Sequence, residues 1–455
     1  MCRKLACFAS IVVLVGLLSP LAIAQEDERY DFDGLADVPG DFNKDGTVDG
    51  NDFLIWQQGG SPAPLSQSDL ADWEDNYGTF PADPTDWMTT GNWSDGGVDP
   101  FGEPFGPLLP DFGTRVELEA STYGVNAPVI GPGDTAEAFG IRIGRSDESN
   151  GEGLLTMTGG TLTLVNSCSA SPFTCNRRLR VGAAQVEVDA ERFPGTFNLS
   201  AGTVTTDTLW IGSGSRGTMN MSDGVVNTRG VFYMDWTWDG GTGGPAEGPS
   251  VLNMTGGTIN VGTFTGSTFR MHRNSNLNLD GGDILINGAV QLGFDNILDP
   301  PTQGAPAGGS QVADVTVTIT DGLLRANGLL QIGGSITVNG GILRAGSFEE
   351  VLSTAGSTVD INGGGLLQFR QSNESVVAVE ALITAGWFTT MDINGLEVTT
   401  VGVSGTDFTQ VAVAPPAIIG VPEPSSVVLA MLVSVSMVFG GRNFRGKKVG
   451  TNQFS

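Results

Sequence analysis

Across residues 141–372, apolar and polar residues alternate in short runs that glycine interrupts. In LTMTGGTL (155–162), Leu155 and Met157 fall on one face and Thr156 and Thr158 on the other, the two-residue period of a strand. The same phrase returns eight times: at 155–162, NLSAGTV at 198–204, NMSDGVV at 220–226, NMTGGTI at 253–259, NLDGGDI at 278–284, TITDGLL at 318–324, TVNGGIL at 337–343 and DINGGGLL at 360–367. Its glycines, from Gly160 through Gly202, Gly224, Gly257, Gly282, Gly322 and Gly341 to Gly364, are spaced by 42, 22, 33, 25, 40, 19 and 23 residues. The longer steps hold insertions, among them the stretches 239–249 and 299–310. A second phrase precedes several of these motifs: Ile141-Arg-Ile143-Gly144, Leu179-Arg-Val181-Gly182, Leu209-Trp-Ile211-Gly212 and Leu330-Gln-Ile332-Gly333.

One unit therefore reads as strand, glycine corner, strand, Gly-Gly corner, strand. A unit this small cannot bury its own apolar face, but stacked units can. The expected fold is all-β, a parallel solenoid, and known solenoids set the expectation of a right-handed β-helix. Two strands separated by Gly-Gly also signal a β-hairpin, and a row of hairpins would make an antiparallel sandwich or barrel. The solenoid is preferred because the whole unit repeats and not the turn alone. Residues 80–140, with Trp87 and Trp93 in TDWMTTGNWSDGG, are expected to cap the first coil, since an open solenoid end exposes strand edges. Residues 373–420 carry further β-type runs and a linker, expected to close the other end.

Glycine is abundant, 67 of 455 residues, which fits turns and works against helix interiors. The formal net charge is −28. Without residues 1–24 and 425–455, which carry bases and no acids, 16 basic residues face 50 acidic ones. Such a surface repels phosphate backbones, so no nucleic-acid partner is expected. Between these ends there is one lysine, Lys44, and one histidine, His272, so the usual acid–base and nucleophilic side chains are scarce. Cys168 and Cys175 lie in SCSASPFTC; their spacing fits no tetrahedral zinc pattern. In an oxidising compartment they are expected to close a small surface loop as a disulfide.

Both ends read as export signals. Arg3 and Lys4 precede an apolar run over residues 5–18 and then Ala22-Ile23-Ala24, which predicts a signal peptide over 1–24 cleaved after Ala24. The tail reads Val421-Pro422-Glu423-Pro424, an apolar stretch to Gly441, and RNFRGKK. The apolar stretch is at the short edge of what crosses a bilayer, and the basic cluster would stay cytoplasmic. This three-part order over 421–448 resembles the PEP-CTERM sorting signal. The resemblance implies a transient C-terminal transmembrane helix, an exosortase-type processing protease as partner, cleavage near Pro422, Glu423 and Pro424, and a secreted or cell-surface location. The Trp87 to Trp93 segment and the repeats resemble surface proteins that carry such tails, autotransporter-like passenger domains included.

After a polar, acidic linker (25–39) the chain runs Asp41-Phe-Asn43-Lys-Asp45-Gly46-Thr47-Val48-Asp49-Gly-Asn-Asp52. Oxygen-bearing side chains at loop positions 1, 3, 5, 9 and 12, a backbone carbonyl at Thr47 and a glycine at position 6 are what a Ca2+ loop requires. Val48 would point back into a small core. Asp at position 12, followed at once by the helix FLIWQQ, resembles a type I dockerin repeat, or an EF-hand with a shortened last ligand. The resemblance covers a module at 40–79 and implies Ca2+ at Asp41, Asn43, Asp45, Thr47, Asp49 and Asp52. The second half keeps only its helix, with Ser68 as expected cap and Leu70, Trp73 and Tyr77 facing Phe53 and Trp56. Cohesin is the partner of that family; Gly50 and Asn51, where the family reads its partner, offer little side-chain surface.

No nucleophile elbow, zinc motif or phosphate loop is present. The acids Asp223, Asp283, Asp321 and Asp360 sit beside motif glycines, where a turn accounts for them. His272, flanked by Arg270 and Arg273, reads as an isolated surface histidine. The expected function is that of a calcium-binding, non-enzymatic surface or matrix protein that meets polysaccharide or neighbouring cells. A polysaccharide lyase or glycoside hydrolase on the same fold is the alternative, and ice binding by threonine rows is a third.

Overall fold

Alternation at strand period buries one side of each run only if runs stack, and the chain stacks them in parallel. The computed structural model describes residues 28–32, 39–43, 48–78, 85–95, 109–112, 114–118, 126–144, 152–164, 177–183, 194–213, 215–235, 249–262, 267–272, 275–293, 315–349, 357–392 and 394–416. Contacts divide the chain into Met1–Val413 and Ala414–Ser455. Of the second unit only residues 414–416 are described. Among the described residues no helix is long and apolar enough to cross a membrane; the tail expected to do so, with Pro422, Glu423 and Pro424, lies outside them, as do the leader with Ala24 and the pair Cys168 and Cys175.

Two sheets make up the body, of eleven and sixteen strands among the described residues. Long strands such as Gly195–Thr206 and Ser250–Val261 build the larger sheet, each pairing in parallel with the equivalent strand of the next coil. Short strands such as Gly140–Ile143, Arg178–Ala183 and Thr208–Ser213 build the smaller one, also in parallel. The hairpin alternative required antiparallel neighbours at the Gly-Gly sites, and those neighbours are parallel. Among the described residues antiparallel pairing is confined to the two ends. Glu28–Phe32, inside the segment read as linker, pairs antiparallel with Trp93–Asp95 and parallel with Thr114–Leu118. Leu396–Val403 and Thr406–Val413 form a hairpin that closes on Leu366–Arg370.

At its first occurrence the Gly-Gly site differs from the corner that the pattern suggests. Gly153–Leu164 runs straight through it as one twelve-residue strand, and the register to the next coil slips around Thr158. There, and in the long strands at 198–204, 253–259, 278–284 and 318–324, the motif is a bulge within one strand, whereas at 220–226, 337–343 and 360–367 it separates two strands as the pattern suggests. Its glycines stack coil on coil. Gly202, Gly224, Gly257, Gly282 and Gly322 all have positive φ, and a Cβ on Gly224, Gly257, Gly282, Gly322 or Gly341 would sit 2.2–2.8 Å from the carbonyl oxygen of the stacked glycine in the preceding coil.

Inward side chains form one continuous apolar cluster from Trp87 to Val411. Successive coils place Phe197, Met219, Leu252, Leu277, Val317, Ile336 and Val359 in a single column. Each is at most 1% exposed, and burying such a side chain contributes roughly 1.5–3 kcal/mol. Outside the larger sheet, asparagines form a ladder. Asn220 Nδ2 donates to Asn198 Oδ1 at 2.9 Å, Asn253 to Asn220 at 2.9 Å and Asn278 to Asn253 at 2.8 Å. Asn253→Ala removes two rungs of this ladder. The expected loss is about 1–2 kcal/mol, read as a lower midpoint in urea unfolding; an unchanged midpoint would mean that the ladder is only surface decoration.

At the N-terminal end Trp87 and Trp93 are buried, edge to face with centroids 4.6 Å apart, and Trp93 Nε1 donates to the Trp87 carbonyl at 2.8 Å. At the other end, within the stretch read as carrying β-type runs, Val376–Thr384 is a helix. Ser375 accepts from the amide of Ala378 as its N-cap, and Val379 and Leu382, three apart, are its buried residues. Helical spacing against the last coil overrides the β-propensity of the valines.

Candidate functional site

The acidic loop is built on a helix N-terminus. Helix Gly50–Gln57 begins at Asp49, whose carboxylate accepts from the amide of Asn51 at 2.7 Å. Asp52 reaches back: Oδ2 accepts from the Asp49 amide at 2.8 Å, and Oδ1 accepts from the amides of Phe42 and Asn43 at 2.8 and 3.1 Å. The last residue of the loop is therefore tied to its first turn, and Asp52 is fully buried. Val48 is buried too, and its carbonyl accepts from the Gly78 amide at 3.0 Å, joining the loop to the second helix.

That helix is Gln67–Asn76. Its cap is Ser66, accepting from the Asp69 amide at 3.0 Å, and not Ser68, which lies inside the first turn. Leu65 takes a left-handed backbone (φ 57°) and so brings Ser66 to the cap position. Asp69 Oδ2 accepts from the Ala63 amide at 2.8 Å, and bonds from Ser61 first, then Ala63, hold its carboxyl below the usual range. Phe53 packs on Trp73 at 4.7 Å and Trp56 at 5.6 Å, and Trp73 Nε1 donates to the Asp49 carbonyl at 2.7 Å. A Cβ on Gly40 would lie 2.7 Å from the backbone of Asp72 and Trp73, so the chain enters the loop pressed against this helix.

Of the six expected Ca2+ ligands, Asp41, Asn43, Asp49 and Asp52 are described, while Asp45 and Thr47 lie outside the described residues. Among the described residues no group of three or more His, Cys, Asp or Glu side chains is gathered as a metal would need. The donor chemistry of the loop nevertheless fits a hard cation. A carboxylate offers about four lone-pair directions; three amides use three of those on Asp52, leaving one on Oδ2 for a single contact.

A second feature lies on the outside of the smaller sheet. Parallel register aligns one outward residue per coil: Glu117, Arg142, Arg180, Trp210, Tyr233, Arg270, Gln291 and Gln331. Gln331 then donates to Glu349 at 2.8 Å. The row interacts along its length. Arg142 pairs with Glu117 at 2.9 Å. The guanidinium carbons of Arg178 and Arg180 lie 4.5 and 4.6 Å from the centre of the Trp210 ring. Trp210 meets Tyr233 edge to face, and Gln291 donates to Gln331 at 2.6 Å. Although these side chains point away from the core, Glu117, Trp210, Tyr233 and Gln331 are all at most 5% exposed. The signal for the row was in the second phrase of the repeat: its variable position holds Arg142, Arg180, Trp210 and Gln331, residues with little reason to recur at a merely solvated site.

At one end of this row is a recess of about 190 Å3 lined by Arg115, Phe139, Gly140, Ile141, Arg142, Arg178 and Arg180. Burial, with Arg178, Arg142 and Arg115 close by, pushes the Arg180 guanidinium down to about 9; Glu117 acts in the opposite sense. The group stays charged at neutral pH.

His272 is not a surface residue. It is 8% exposed, its backbone N–H donates to the Met234 carbonyl at 2.9 Å, and its ring lies 6.1 Å from Tyr233. The coil stacking that carries Arg270 into the row draws it in; Arg273 lies outside the described residues. Two of the corner acids serve their turns, and Asp360 ties its strand to the next coil. Asp223 and Asp321 each accept from the amide of the following glycine at 2.7 Å, and Asp360 accepts from the Thr389 hydroxyl. Threonines align only briefly: Thr161 stacks on Thr203 and Thr163 on Thr205, and the next coil supplies Val225 and Asn227.

Comparison of the chain with family models, curated proteins and solved structures gives no match.

Proposed function

We propose that the chain is an exported, calcium-binding, non-enzymatic cell-surface or matrix protein of a bacterium, in which a right-handed β-helix carries a dockerin-like module and a PEP-CTERM tail is processed by an exosortase-type protease. The observation that carries this reading is the parallel stack of coils over one unbroken apolar core. A stack of this kind is a rigid, extended scaffold whose outer faces repeat from coil to coil. The turn roles of Asp223 and Asp321 and the coil-to-coil contact of Asp360 with Thr389 support it further, because a glycosidase needs a pair of carboxylates facing one substrate. The module at 40–79 supports calcium through its loop spacing and the closure by Asp52.

Three measurements test the reading. Assays for reducing sugars and for unsaturated uronates over a polysaccharide panel are expected to show no turnover; robust turnover would replace it with the lyase or hydrolase alternative. Pull-down against exopolysaccharide and against cohesins is expected to retain the former. Mass spectrometry of the exported protein is expected to find an N-terminus at Gln25 and a C-terminus near Pro422 to Pro424.

A further inference from the structure

We propose that the recess over Gly140 is a binding site for an oxyanion, a carboxylate, sulfate or phosphate carried on a group of up to monosaccharide size. The inference is independent of export and of calcium.

Register builds the site. Arg115, Gly140 and Arg178 occupy one outward row on three successive coils, and Glu117, Arg142 and Arg180 occupy the next. Gly140 is the missing side chain between two arginines, and it forms the floor of the recess. Its backbone does not require glycine, since its φ is not among the positive ones. A Cβ there would lie 3.3 Å from the nearest atom, the Arg178 carbonyl oxygen. That contact is tight, so the glycine serves the close approach of the next coil, and its missing side chain also leaves the space above it open. The space, about 190 Å3, corresponds to roughly six waters at ~30 Å3 each. That is room for an oxyanion with several attached carbons.

Charge identifies the occupant. Four guanidinium groups converge on neighbouring coils of a chain whose net charge is −28. Glu117 is matched to Arg142 at 2.9 Å, and among the described residues no ion pair to Arg180 is formed. Buried like charges repel, and an arginine cannot relieve this by losing its proton at neutral pH. A planar oxyanion between the forks would relieve it, since guanidinium groups take carboxylate, sulfate or phosphate oxygens two at a time. Trp210 is a positioning residue, holding the guanidinium groups of Arg178 and Arg180 against its ring.

The test uses the mature chain, with calorimetry and thermal melts in glucuronate, glucose 6-sulfate, inorganic phosphate and neutral glucose, at low and at high salt. At least one anion is expected to bind and raise the melting temperature, with an affinity that falls as salt rises, while glucose does neither; the anion preferred identifies the group. Arg180→Met is expected to weaken binding tenfold or more and to melt higher than the parent without ligand, because a repelling charge is gone. Gly140→Val fills the floor, and is expected to abolish binding while all four arginines remain. Absence of binding by the parent chain, or binding unchanged in Arg180→Met, overturns the proposal, and this holds even if Gly140→Val does not fold.

Discussion

Gly322→Ala is expected to destabilise the solenoid by roughly 3 kcal/mol or more. Two costs combine. The residue has φ +82°, where a side chain is strained, at about 1–3 kcal/mol. The new Cβ would also lie 2.2 Å from the carbonyl oxygen of Gly282 and 3.1 Å from its amide nitrogen. Both contacts are backbone in the adjacent coil, so relief requires the coils to part, which breaks the parallel ladder on either side. Gly364→Ala, in the same motif one turn from the end, is the control: it has neither positive φ nor a neighbour within 4 Å. Urea unfolding of the two variants should separate them by several kcal/mol; equal midpoints would refute the stacked-glycine account.

Asp52→Ala is expected to unfold the 40–79 module with or without calcium. Removing the carboxylate strands the amides of Phe42, Asn43 and Asp49, of which the first two tie the loop to the helix. Hydrogen bonds to a charged acceptor contribute about 1.5–3 kcal/mol each, so a module of two short helices cannot absorb their loss. Asp45→Ala separates the cation from the fold. It is expected to abolish calorimetric Ca2+ binding while the fluorescence of Trp56 and Trp73 in chelator stays that of the parent. In the parent, Ca2+ at a hundredfold excess over Kd should add about 2.7 kcal/mol to the module, and Asp45→Ala should lose this increment. Undiminished binding in Asp45→Ala would defeat the assignment of the loop.

Much of this architecture was legible beforehand, and the reasons are local. Leu155 and Met157 alternate with threonines, and the same phrase returns with a glycine at a fixed place; stacked strands satisfy both, and the parallel pairing excludes the hairpins that share the Gly-Gly signal. Val48 and the aromatic pairing of Phe53 with Trp73 follow from spacing along one loop and two helices. The misreadings have local causes as well. Ser68 looked like a cap, but the left-handed Leu65 advances the cap to Ser66. The stretch 373–420 was read as β-type runs and a linker, while within it VVAVEALIT, with its i, i+3 pair Val379 and Leu382, packs as a helix.

The outward row could not be assembled from spacing. Arg142, Arg180 and Trp210 were visible as one variable position, and Gln291 stands at the same place in Val290-Gln291-Leu292-Gly293, but Glu117, Tyr233 and Arg270 occur in segments without the closing glycine. Insertions of unequal length separate the coils, so sequence distance carries no register. Hydrogen bonding between coils restores it and aligns Glu117 with Arg142 and Tyr233 with Arg270. The sequence by itself determined that the chain coils, which face of each strand is apolar and where glycine must stand, because those depend on period and on the absence of a side chain. The tertiary structure alone decided which outward side chains become neighbours, and with them the cluster of four arginines over Gly140, because that depends on how coils far apart in the chain come into register.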